Sequence, residues 1–362
     1  MTTPPDGQLA ASSCVATERS PLCFRSPIFI LGIVQRSGTN FLNNLVLLHP
    51  DVRSPGIVWE DFYLAPADRL SDYAAALQPS WNSGWREKLG QALGEDTVMR
   101  HLGDALIRLM EDQYRHCVAA GTQRAAEASA VALVTATPNT RNLDQFFRLF
   151  PAAAPLLIVR DGRATVESGV RSFGWDYEEA IRAWVASGQR ILDFCANPEH
   201  GGRYLLTRYE RLFLDPKTEM QRILEFLKLE PANYDFEACA KLGLMGSSEL
   251  KQNGASTLHW KYVDKPKHFN PLARASEWTE PMRQRFYYLA GPTMTALGYE
   301  LEAADRALAP QRAAWNRWMD WLYALELRLR RSFPPGAAWL KRLRYRLLKA
   351  PVTITPTPRK PD

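Results

Sequence analysis

Cysteine and long apolar runs are both scarce in this sequence of 362 residues. Its five cysteines are scattered, with no Cys-x-x-Cys pair and no histidine at the spacing of a zinc ligand, which argues against a disulfide framework and a structural zinc site. No window of about 20 uninterrupted apolar residues occurs, and the first residues lack the basic start and apolar stretch of a secretory signal. These absences predict reduced thiols, a cytoplasmic location and no transmembrane helix.

The composition is that of a folded protein, but its charge is unevenly distributed. Hydrophobic residues make up 46% of the chain and charged residues 23%, which is close to the average for globular domains. The formal net charge is +6. From residue 310 onward twelve Lys and Arg residues stand against three acidic ones, so this tail carries +9 and residues 1–309 carry −3. The basicity belongs to the tail and predicts that the tail binds an anionic surface.

Apolar runs of strand length alternate with helical patterns along most of the chain. The apolar runs lie at 27–34, 131–135, 155–159 and 203–207, and the helical patterns lie at 39–48, 163–171, 178–195 and 217–227. Buried strands that alternate with amphipathic helices are typical of α/β proteins with a parallel sheet. The predicted fold class is therefore α/β, with a P-loop-like parallel sheet that helices cover on both faces.

The same pattern predicts the domain organisation. Residues 1–26 are rich in Pro, Ser, Thr and Ala and predict a flexible arm. The main domain is expected over 27–302. Within it, residues 61–126 carry Trp, Tyr and Leu at helical spacing, which predicts a helical cover over the substrate. Residues 303–362 are expected to form a basic helical tail rich in Trp and Arg.

The first apolar run ends in a loop that can bind an anion. Gly32 to Thr39 (GIVQRSGT) closes the strand and opens a helix, so N–H groups at the helix start can receive a phosphate. Gly32 and Gly38 are one residue too far apart for G-x-x-x-x-G-K-[ST], and Arg36 before the second glycine replaces the lysine after it. An ordinary ATP-binding loop is therefore excluded, and a plain strand-to-helix turn is the alternative.

A second candidate for binding a phosphate follows the apolar run at 155–159. Arg160 ends this run, and Ser168 lies eight residues later inside the next predicted helix. A guanidinium fork and a hydroxyl can thus converge on one phosphate. The alternative is a surface turn in which Arg160, Asp161 and Arg163 form ion pairs.

With both motifs present in order, the sequence resembles sulfotransferases that use 3′-phosphoadenosine 5′-phosphosulfate (PAPS), and most of all their bacterial and tyrosylprotein branches. The resemblance rests on R-S-G-T at 36–39 and on R-D-G-R-x-x-x-x-S at 160–168. It implies PAPS as the co-substrate and no metal. It also implies a 5′-phosphosulfate site at Arg36, Ser37, Gly38, Thr39 and Asn40, and a 3′-phosphate site at Arg160 and Ser168.

Further segments extend the resemblance from Ile28 to Glu300. The family's tyrosine-containing segment, the segment that closes over PAPS and the closing signature of bacterial members have counterparts at 204–210, 247–261 and 269–274. These segments imply three more nucleotide ligands: Tyr209, Lys261 and Arg274.

Sulfuryl transfer needs a base for the acceptor's proton and a cation near the leaving group. The resemblance implies an acidic residue shortly after the H-P-D-V sequence at 49–52, which makes Glu60 the candidate base. Asp61 is a rival, and a carboxylate at a helix start is the alternative interpretation of Glu60. Arg36 is the candidate catalytic cation, and His49 is interpreted as a packing residue.

One position departs from the family pattern. Related sequences often carry a lysine in a K-x-P sequence before the second motif, and here Ala136 occupies that position. An alanine cannot stabilise developing charge, so either Arg36 and another cation such as Lys251 or Lys261 do so, or the chemistry is slow or altered. The departure weakens the prediction of activity and leaves the predicted fold unchanged.

The leading prediction is a sulfotransferase that moves the sulfuryl group of PAPS to a hydroxyl or amine by in-line displacement. One alternative is a nucleotide-binding, membrane-associated module with the same fold and little or no catalysis, and a less favoured one is a small-molecule kinase. The acceptor is left open between a small molecule, a lipid, a sugar and a peptide. No nucleic-acid partner is predicted, and a homodimer is an open alternative to a monomer.

The tail has two amphipathic stripes. Trp315, Trp318, Trp339 and Leu343 are assigned to their apolar faces. The cations assigned to the polar faces are Arg328, Arg330, Arg331, Lys341, Arg342, Arg344, Arg346 and Lys349. Two interpretations remain: residues 311–349 lie on an anionic membrane surface as a peripheral anchor, or the stripes pack on the main domain or on a second subunit.

Overall fold

The computed structural model describes residues 23–56, 60, 63–90, 92–126, 130–252, 255–263, 276–301 and 313–349, with the backbone alone for 245–252 and 255–263. The strands are β1 (Cys23–Phe24), β2 (Ile28–Gly32), β3 (Val52–Arg53), β4 (Ala130–Thr137), β5 (Ala154–Val159), β6 (Leu205–Arg208), β7 (Leu244–Gln252) and β8 (Ala255–Val263). The helices are α1 (Thr39–Val46), α2 (Ala67–Leu77), α3 (Ser83–Leu89), α4 (Glu95–Ala119), α5 (Phe146–Leu149), α6 (Gly162–Phe173), α7 (Tyr177–Ala196), α8 (Tyr209–Leu214), α9 (Pro216–Leu227), α10 (Phe236–Lys241), α11 (Glu280–Ala296), α12 (Ala313–Ser332) and α13 (Pro334–Leu348).

Strands β1 to β6 form one sheet. Strand β2 lies between β4 and β5, β6 flanks β5, and β1 and β3 also pair with β4. Each of these pairings is parallel. Strand β1 lies within the segment predicted as a flexible arm, so pairing with the sheet starts before residue 27.

Side chains of the sheet alternate between two apolar cores because successive residues of a strand point to opposite faces. Phe29 and Leu31 contribute to one core, together with residues of α4, α6, α7 and α11. Ile28 and Ile30 contribute to the other, together with residues of α1, α8, α9 and α10. The predicted α/β class, with a parallel sheet covered by helices on both faces, is confirmed.

Helix α6 begins directly after β5 because Asp161 caps it. The Asp161 carboxylate accepts hydrogen bonds from the N–H groups of Arg163 at 2.8 Å and Ala164 at 3.4 Å. Gly174 ends the helix in the left-handed region at φ 65°. The short turn leaves Arg160 at the end of the strand and places Ser168 on the buried side of the helix.

The segment predicted as a helical cover contains α2, α3 and α4. Helix α4 buries Met99, Met110 and Tyr114 in the same core as Phe29, whereas Trp85 of α3 and Leu109 of α4 are exposed. Helical spacing therefore predicted the elements of this segment correctly. Its role over a substrate stays a prediction.

The two helices of the tail pack onto the main domain. Met319 and Leu322 of α12 and Leu340 of α13 are buried in the core that contains Phe29. The buried guanidinium of Arg285 in α11 donates to Asp320 of α12 at 2.6 Å. Packing on the domain, one of the two interpretations of the tail, therefore holds for the inner faces of both helices. No helix in the part of the chain that the structure describes is both long and apolar enough to cross a membrane.

Three assignments in the tail are corrected by the structure. Arg344, predicted to lie on a polar face, is 0% exposed; it donates to Glu326 at 2.5 and 2.8 Å and lies 3.7 Å from Asp176. Burial is favoured here because both carboxylates are themselves buried and need a cation. Trp318 and Trp339, predicted to lie on apolar faces, are 42% and 61% exposed because the residues next to them on the helices face the core instead.

Candidate active site

The two predicted phosphate-binding motifs lie at the same edge of the sheet. Strands β2, β4, β5 and β6 are parallel, so the loops that follow them meet at their carboxyl ends. Ligands of open parallel sheets bind in the crevice at this edge, where neighbouring strands connect in opposite directions. Strand β2, with β4 on one side and β5 on the other, is at that position.

The loop after β2 has a backbone that requires glycine at one point. Gly38 has φ 98° and immediately precedes α1, and a Cβ atom at this residue would lie 2.3 Å from Cδ2 of Tyr209. A side chain at position 38 would therefore strain the backbone and collide with the Tyr209 ring. The consequence is a loop that runs close to Tyr209 and presents the start of α1 to the site.

Two features of this loop are suited to an anion. The side chain of Ser37 is 0% exposed, and its Oγ has no hydrogen-bond partner among the described residues. Arg36 has φ 72°, an unusual conformation for a side chain with a Cβ atom. The loop thus combines the cation of Arg36 with the buried hydroxyl of Ser37 at the start of α1. These groups suit the binding of a phosphate-like anion.

Arg160 is fixed by contacts on three sides and is only 6% exposed. Its Nη1 donates to the backbone oxygen of Arg36 at 2.9 Å, and its guanidinium lies 4.4 Å from the ring centroid of Tyr209. Its own backbone oxygen accepts from Nε1 of Trp184 at 3.1 Å. The Nε atom of Arg160 is buried without a hydrogen-bond partner in the described part of the chain, which also fits a site for an anionic ligand.

Ser168 reaches the first motif rather than Arg160. The Ser168 hydroxyl accepts a hydrogen bond from Nε of Arg36 at 3.1 Å, and the Arg36 guanidinium lies 5.3 Å from the ring centroid of Phe173. Arg36 therefore connects the two motifs, since it contacts Ser168 by its side chain and Arg160 by its backbone. The structure brings Arg36, Ser37, Gly38, Arg160, Ser168 and Tyr209 together, with Thr39 and Asn40 in the first turn of α1.

The alternative in which Arg160, Asp161 and Arg163 form a surface ion-pair turn is only partly right. Arg163 does form an ion pair with Asp161 at 2.7 Å. This pair is not on the surface, because Asp161 is buried and Arg163 also donates a hydrogen bond to the Tyr287 hydroxyl. Arg160 takes part in none of the ion pairs found in the described residues. It is therefore available for an anion.

Several supporting residues have no signal in the sequence. Phe173 and Trp184 hold the arginines from helices α6 and α7. Glu210 accepts from the backbone N–H of Asp161 at 2.9 Å and from the Tyr299 hydroxyl at 3.2 Å, and burial raises its pKa. These contacts join segments far apart in the chain, so local spacing could not identify them. Two of them, Glu210, which follows Tyr209 directly, and Tyr299, lie inside segments that the resemblance included.

Glu60 lies beside the end of β4, next to the loop after β2. Its backbone forms a parallel bridge with Ala136, which is 0% exposed and pairs on its other edge with Ile30. Burial raises the pKa of the Glu60 carboxyl above its usual value of 4.5, although a hydrogen bond with the Asn40 side chain and the charge of Arg36 counteract this. The carboxylate is thus within the electrostatic reach of both predicted loop ligands. The rival base Asp61 lies outside the described residues.

His49 lies away from this chemistry. Its ring is buried, with Nε2 3.1 Å from the backbone oxygen of Glu230 and Nδ1 accepting from the N–H of Asp51 at 3.2 Å. These bonds fit its interpretation as a packing residue. In the described residues no group of three or more His, Cys, Asp and Glu side chains could hold a metal ion.

The segment that resembles the closing flap of the family is an antiparallel hairpin of β7 and β8. It lies against α1 and α6, the helices that follow the two phosphate-binding loops. Lys261 is in β8, opposite Gly246. The side chains of Lys251 and Lys261 and the whole of Arg274 lie outside the described residues.

A parallel sheet with two cation-bearing loops at its carboxyl edge defines an α/β protein of the nucleotide-binding class. The chain belongs to the sulfotransferase family, because the model of that family matches residues 27–233. Membership confirms the predicted family and, with it, sulfuryl transfer from PAPS as the reaction.

Individual relatives are distant. Protein-tyrosine sulfotransferase 1 of Danio rerio is 26% identical over 289 residues, which cover 76% of this chain and 73% of the relative. Protein-tyrosine sulfotransferase A of Caenorhabditis elegans is 29% identical over 214 residues, which cover 56% and 50%. Among solved structures, the sulfotransferase domain from the curacin biosynthetic pathway aligns with 18% identity and a TM-score of 0.38, covering 80% of this chain and 98% of that domain.

The contacts of Arg160 lead to a first prediction. Replacing Arg160 with alanine should weaken the binding of adenosine 3′,5′-bisphosphate by roughly 2–4 kcal/mol, because a charge-assisted contact to a dianionic phosphate is lost. Isothermal titration calorimetry measures the change, and thermal unfolding checks that the variant is folded. The matched control is Arg211→Ala, which removes an exposed arginine from α8 and should bind like wild type. An Arg160→Ala protein with wild-type affinity would contradict the assignment.

Proposed function

We propose that Glu60 is the general base of this sulfotransferase and that its acceptor is a hydroxyl group, most favourably a phenol. The observation that carries the proposal is the position of Glu60, which pairs with the end of β4 and hydrogen-bonds to Asn40 of the phosphosulfate loop. A carboxylate at this place can take the proton of an acceptor that approaches the loop. Its interaction with Arg36 keeps it close to the reacting group.

Different residues would have different roles in an in-line displacement. Glu60 would accept the acceptor's proton as the new oxygen–sulfur bond forms. Arg36 and the N–H groups at the start of α1 would stabilise the negative charge that develops on the departing adenosine 3′,5′-bisphosphate. Arg160 would hold the 3′-phosphate through its guanidinium fork. Ser168 would act mainly through Arg36, to which it is hydrogen-bonded.

The acidity of the acceptor hydroxyl and the named relatives both support a phenolic acceptor. Ala136, a fully buried residue where related sequences carry lysine, leaves one cation fewer for the leaving group of any acceptor and does not choose between them. A nucleophile that is easily deprotonated reduces the demand on the base, and a phenol with a pKa of about 10 satisfies this far better than an aliphatic alcohol. The relatives named above are protein-tyrosine sulfotransferases. A tyrosine side chain is therefore the first acceptor to test.

Two measurements test the function in sequence. Adenosine 3′,5′-bisphosphate should raise the melting temperature of the protein, whereas ATP with magnesium should change it little. Sulfuryl transfer from labelled PAPS is then followed with a tyrosine peptide, a simple phenol, an aliphatic alcohol and an amine. Transfer to the two phenols above the other acceptors is the expected result. Stabilisation by ATP and not by the bisphosphate would instead favour a kinase.

A non-catalytic nucleotide-binding module is the second candidate, because Ala136 removes a cation from the site. The transfer assay with labelled PAPS distinguishes this candidate from an active sulfotransferase. Stabilisation by the bisphosphate without transfer to any of the acceptors would support that candidate and contradict Glu60 as a base.

A further inference from the structure

The α12–α13 hairpin separates its charges between two faces. Asp320 of α12 pairs with Arg285 of the main domain, and Glu326 pairs with the buried Arg344. Helix α13 contains no acidic residue. The outward-facing cations are Arg317, Arg328, Arg331, Arg342, Arg346 and Lys349, all exposed. The two carboxylates of these helices, with the side chain of Asp320 35% exposed and that of Glu326 2% exposed, are thus both paired with arginines, and the outer face is positive.

Large apolar side chains are concentrated on the same hairpin. Of the eleven large hydrophobic side chains that are exposed in the described chain, five lie between residues 318 and 339. They are Trp318, Trp321, Leu327, Phe333 and Trp339. Trp318 and Trp321 are one helical turn apart, and Trp339 is one turn from Arg342, so aromatic rings and guanidinium groups share a surface. We call these aromatic and cationic side chains the outer face.

We infer that the outer face of the α12–α13 hairpin docks on an anionic lipid bilayer. Tryptophan favours the headgroup region, where its ring is partly buried and its N–H stays hydrated, and arginine binds lipid phosphate through a forked pair of hydrogen bonds. The buried inner face already joins the hairpin to the enzyme, so the outer face is free to lie in the interface while the fold remains intact. The hairpin thus packs on the domain by one face and binds lipid by the other.

The combination favours a bilayer over a soluble polyanion. A nucleic-acid duplex or an acidic polysaccharide would be held mainly by the cations, because its charged exterior offers no apolar layer to the exposed Trp321 and Trp339, at 58% and 61%. A bilayer uses both features, since it offers phosphates beside an apolar layer. The involvement of the tryptophans therefore separates the two partners.

The test uses the full-length protein and vesicles of phosphatidylserine and phosphatidylcholine in equal parts. The wild-type protein should sediment with these vesicles at low salt, much less at high salt, and little with phosphatidylcholine alone. The triple variant Trp318→Ala, Trp321→Ala and Trp339→Ala should partition about tenfold more weakly, because the apolar contribution is lost. Replacing exposed residues leaves the core intact, and unchanged binding of adenosine 3′,5′-bisphosphate verifies this independently of catalysis.

The charge contribution has its own matched pair of variants. The test variant carries glutamine at Arg328, Arg331, Arg342 and Arg346, and the control carries glutamine at Arg86, Lys88, Arg100 and Arg108 on helices α3 and α4. Both lose the same net charge. The first should partition more than tenfold more weakly, given roughly fivefold per cation near an anionic leaflet, and the second should stay near wild type. Trp85→Ala with Leu109→Ala is the corresponding control for the aromatic variant.

Several results would overturn the inference. One is a wild-type protein that stays in the supernatant with anionic vesicles at low salt. Another is equal loss of binding in the two charge variants, which would indicate non-specific adsorption. A third is an aromatic triple variant that binds vesicles as wild type does, which would show that charge alone attracts the hairpin to the bilayer. A fourth is a wild-type protein that binds heparin and not the bilayer, which would assign the surface to a soluble polyanion.

Discussion

Replacing Glu60 with glutamine is expected to lower the rate of sulfuryl transfer by about 10²–10⁴-fold, the range typical of a lost general base. The substitution keeps the size of the side chain and its ability to hydrogen-bond with Asn40, but it removes the acceptor for the proton. Affinity for adenosine 3′,5′-bisphosphate should be nearly unchanged, because the candidate nucleotide contacts are made by Arg36 and Arg160. Steady-state rates with labelled PAPS and calorimetry of the bisphosphate separate the two quantities.

The matched control for this prediction is Asp61→Asn, which makes the same chemical change at the neighbouring residue. If Asp61→Asn loses activity and Glu60→Gln retains it, the base is Asp61. If both retain activity, the proton is taken by another group, and the proposed role of Glu60 is wrong.

The pH dependence of kcat/KM provides a second readout of Glu60. A base works only when ionised, so activity should fall as the pH drops through its pKa. Burial raises the pKa of this carboxyl above 4.5, which moves the acidic limb of the profile upward in pH. In the Glu60→Gln variant this limb should disappear, whereas a merely structural role would lower the rate without changing the shape of the profile.

The fold could be predicted because its signals are local. Strands β2, β4 and β5 are buried on both faces of a parallel sheet, so each is a continuous apolar run that the sequence shows directly. The loop after β2 was likewise recognisable from Arg36, Gly38 and the helix that follows. These features depend on neighbours in the chain, and the sequence therefore contains nearly all of the information.

The contacts inside the site depend on residues far apart in sequence. Spacing predicted that Arg160 and Ser168 would meet on one phosphate, but the Ser168 hydroxyl binds Arg36, which lies 132 residues earlier. Similarly, no pattern within α12 or α13 indicated that Arg344 would be buried. Its position is decided by Asp176, at the start of α7, and by Glu326 of the preceding helix. Such pairings follow from tertiary packing and have no local signature.

Arg344 also gives the largest expected change in stability. Replacing it with alanine should lower the free energy of unfolding by about 3 kcal/mol, because the buried carboxylates of Glu326 and Asp176 lose their one fully buried cation and keep only the partly exposed Arg330 and Lys341. Arg344 is 0% exposed, and Glu326 and Asp176 are 1% and 5% exposed, so water cannot replace it without opening the packing between α12, α13 and the domain. Urea unfolding of the full-length protein measures the change.

The control is Arg342→Ala, two residues away on α13 and exposed, which should change stability by no more than about 0.5 kcal/mol.

The effect of Arg344→Ala on stability should also depend on pH in one direction. Burial alone would raise the pKa of Asp176, but Arg344 and Lys341 together outweigh it and hold that pKa below 3.8. A carboxyl with a lowered pKa stabilises the fold above its unfolded value and loses this contribution as the pH falls. The difference in the free energy of unfolding between wild type and Arg344→Ala should therefore become smaller as the pH falls. A small difference at neutral pH would show that the ion pairs of Arg344 with Glu326 and Asp176 do not hold α13 to the domain.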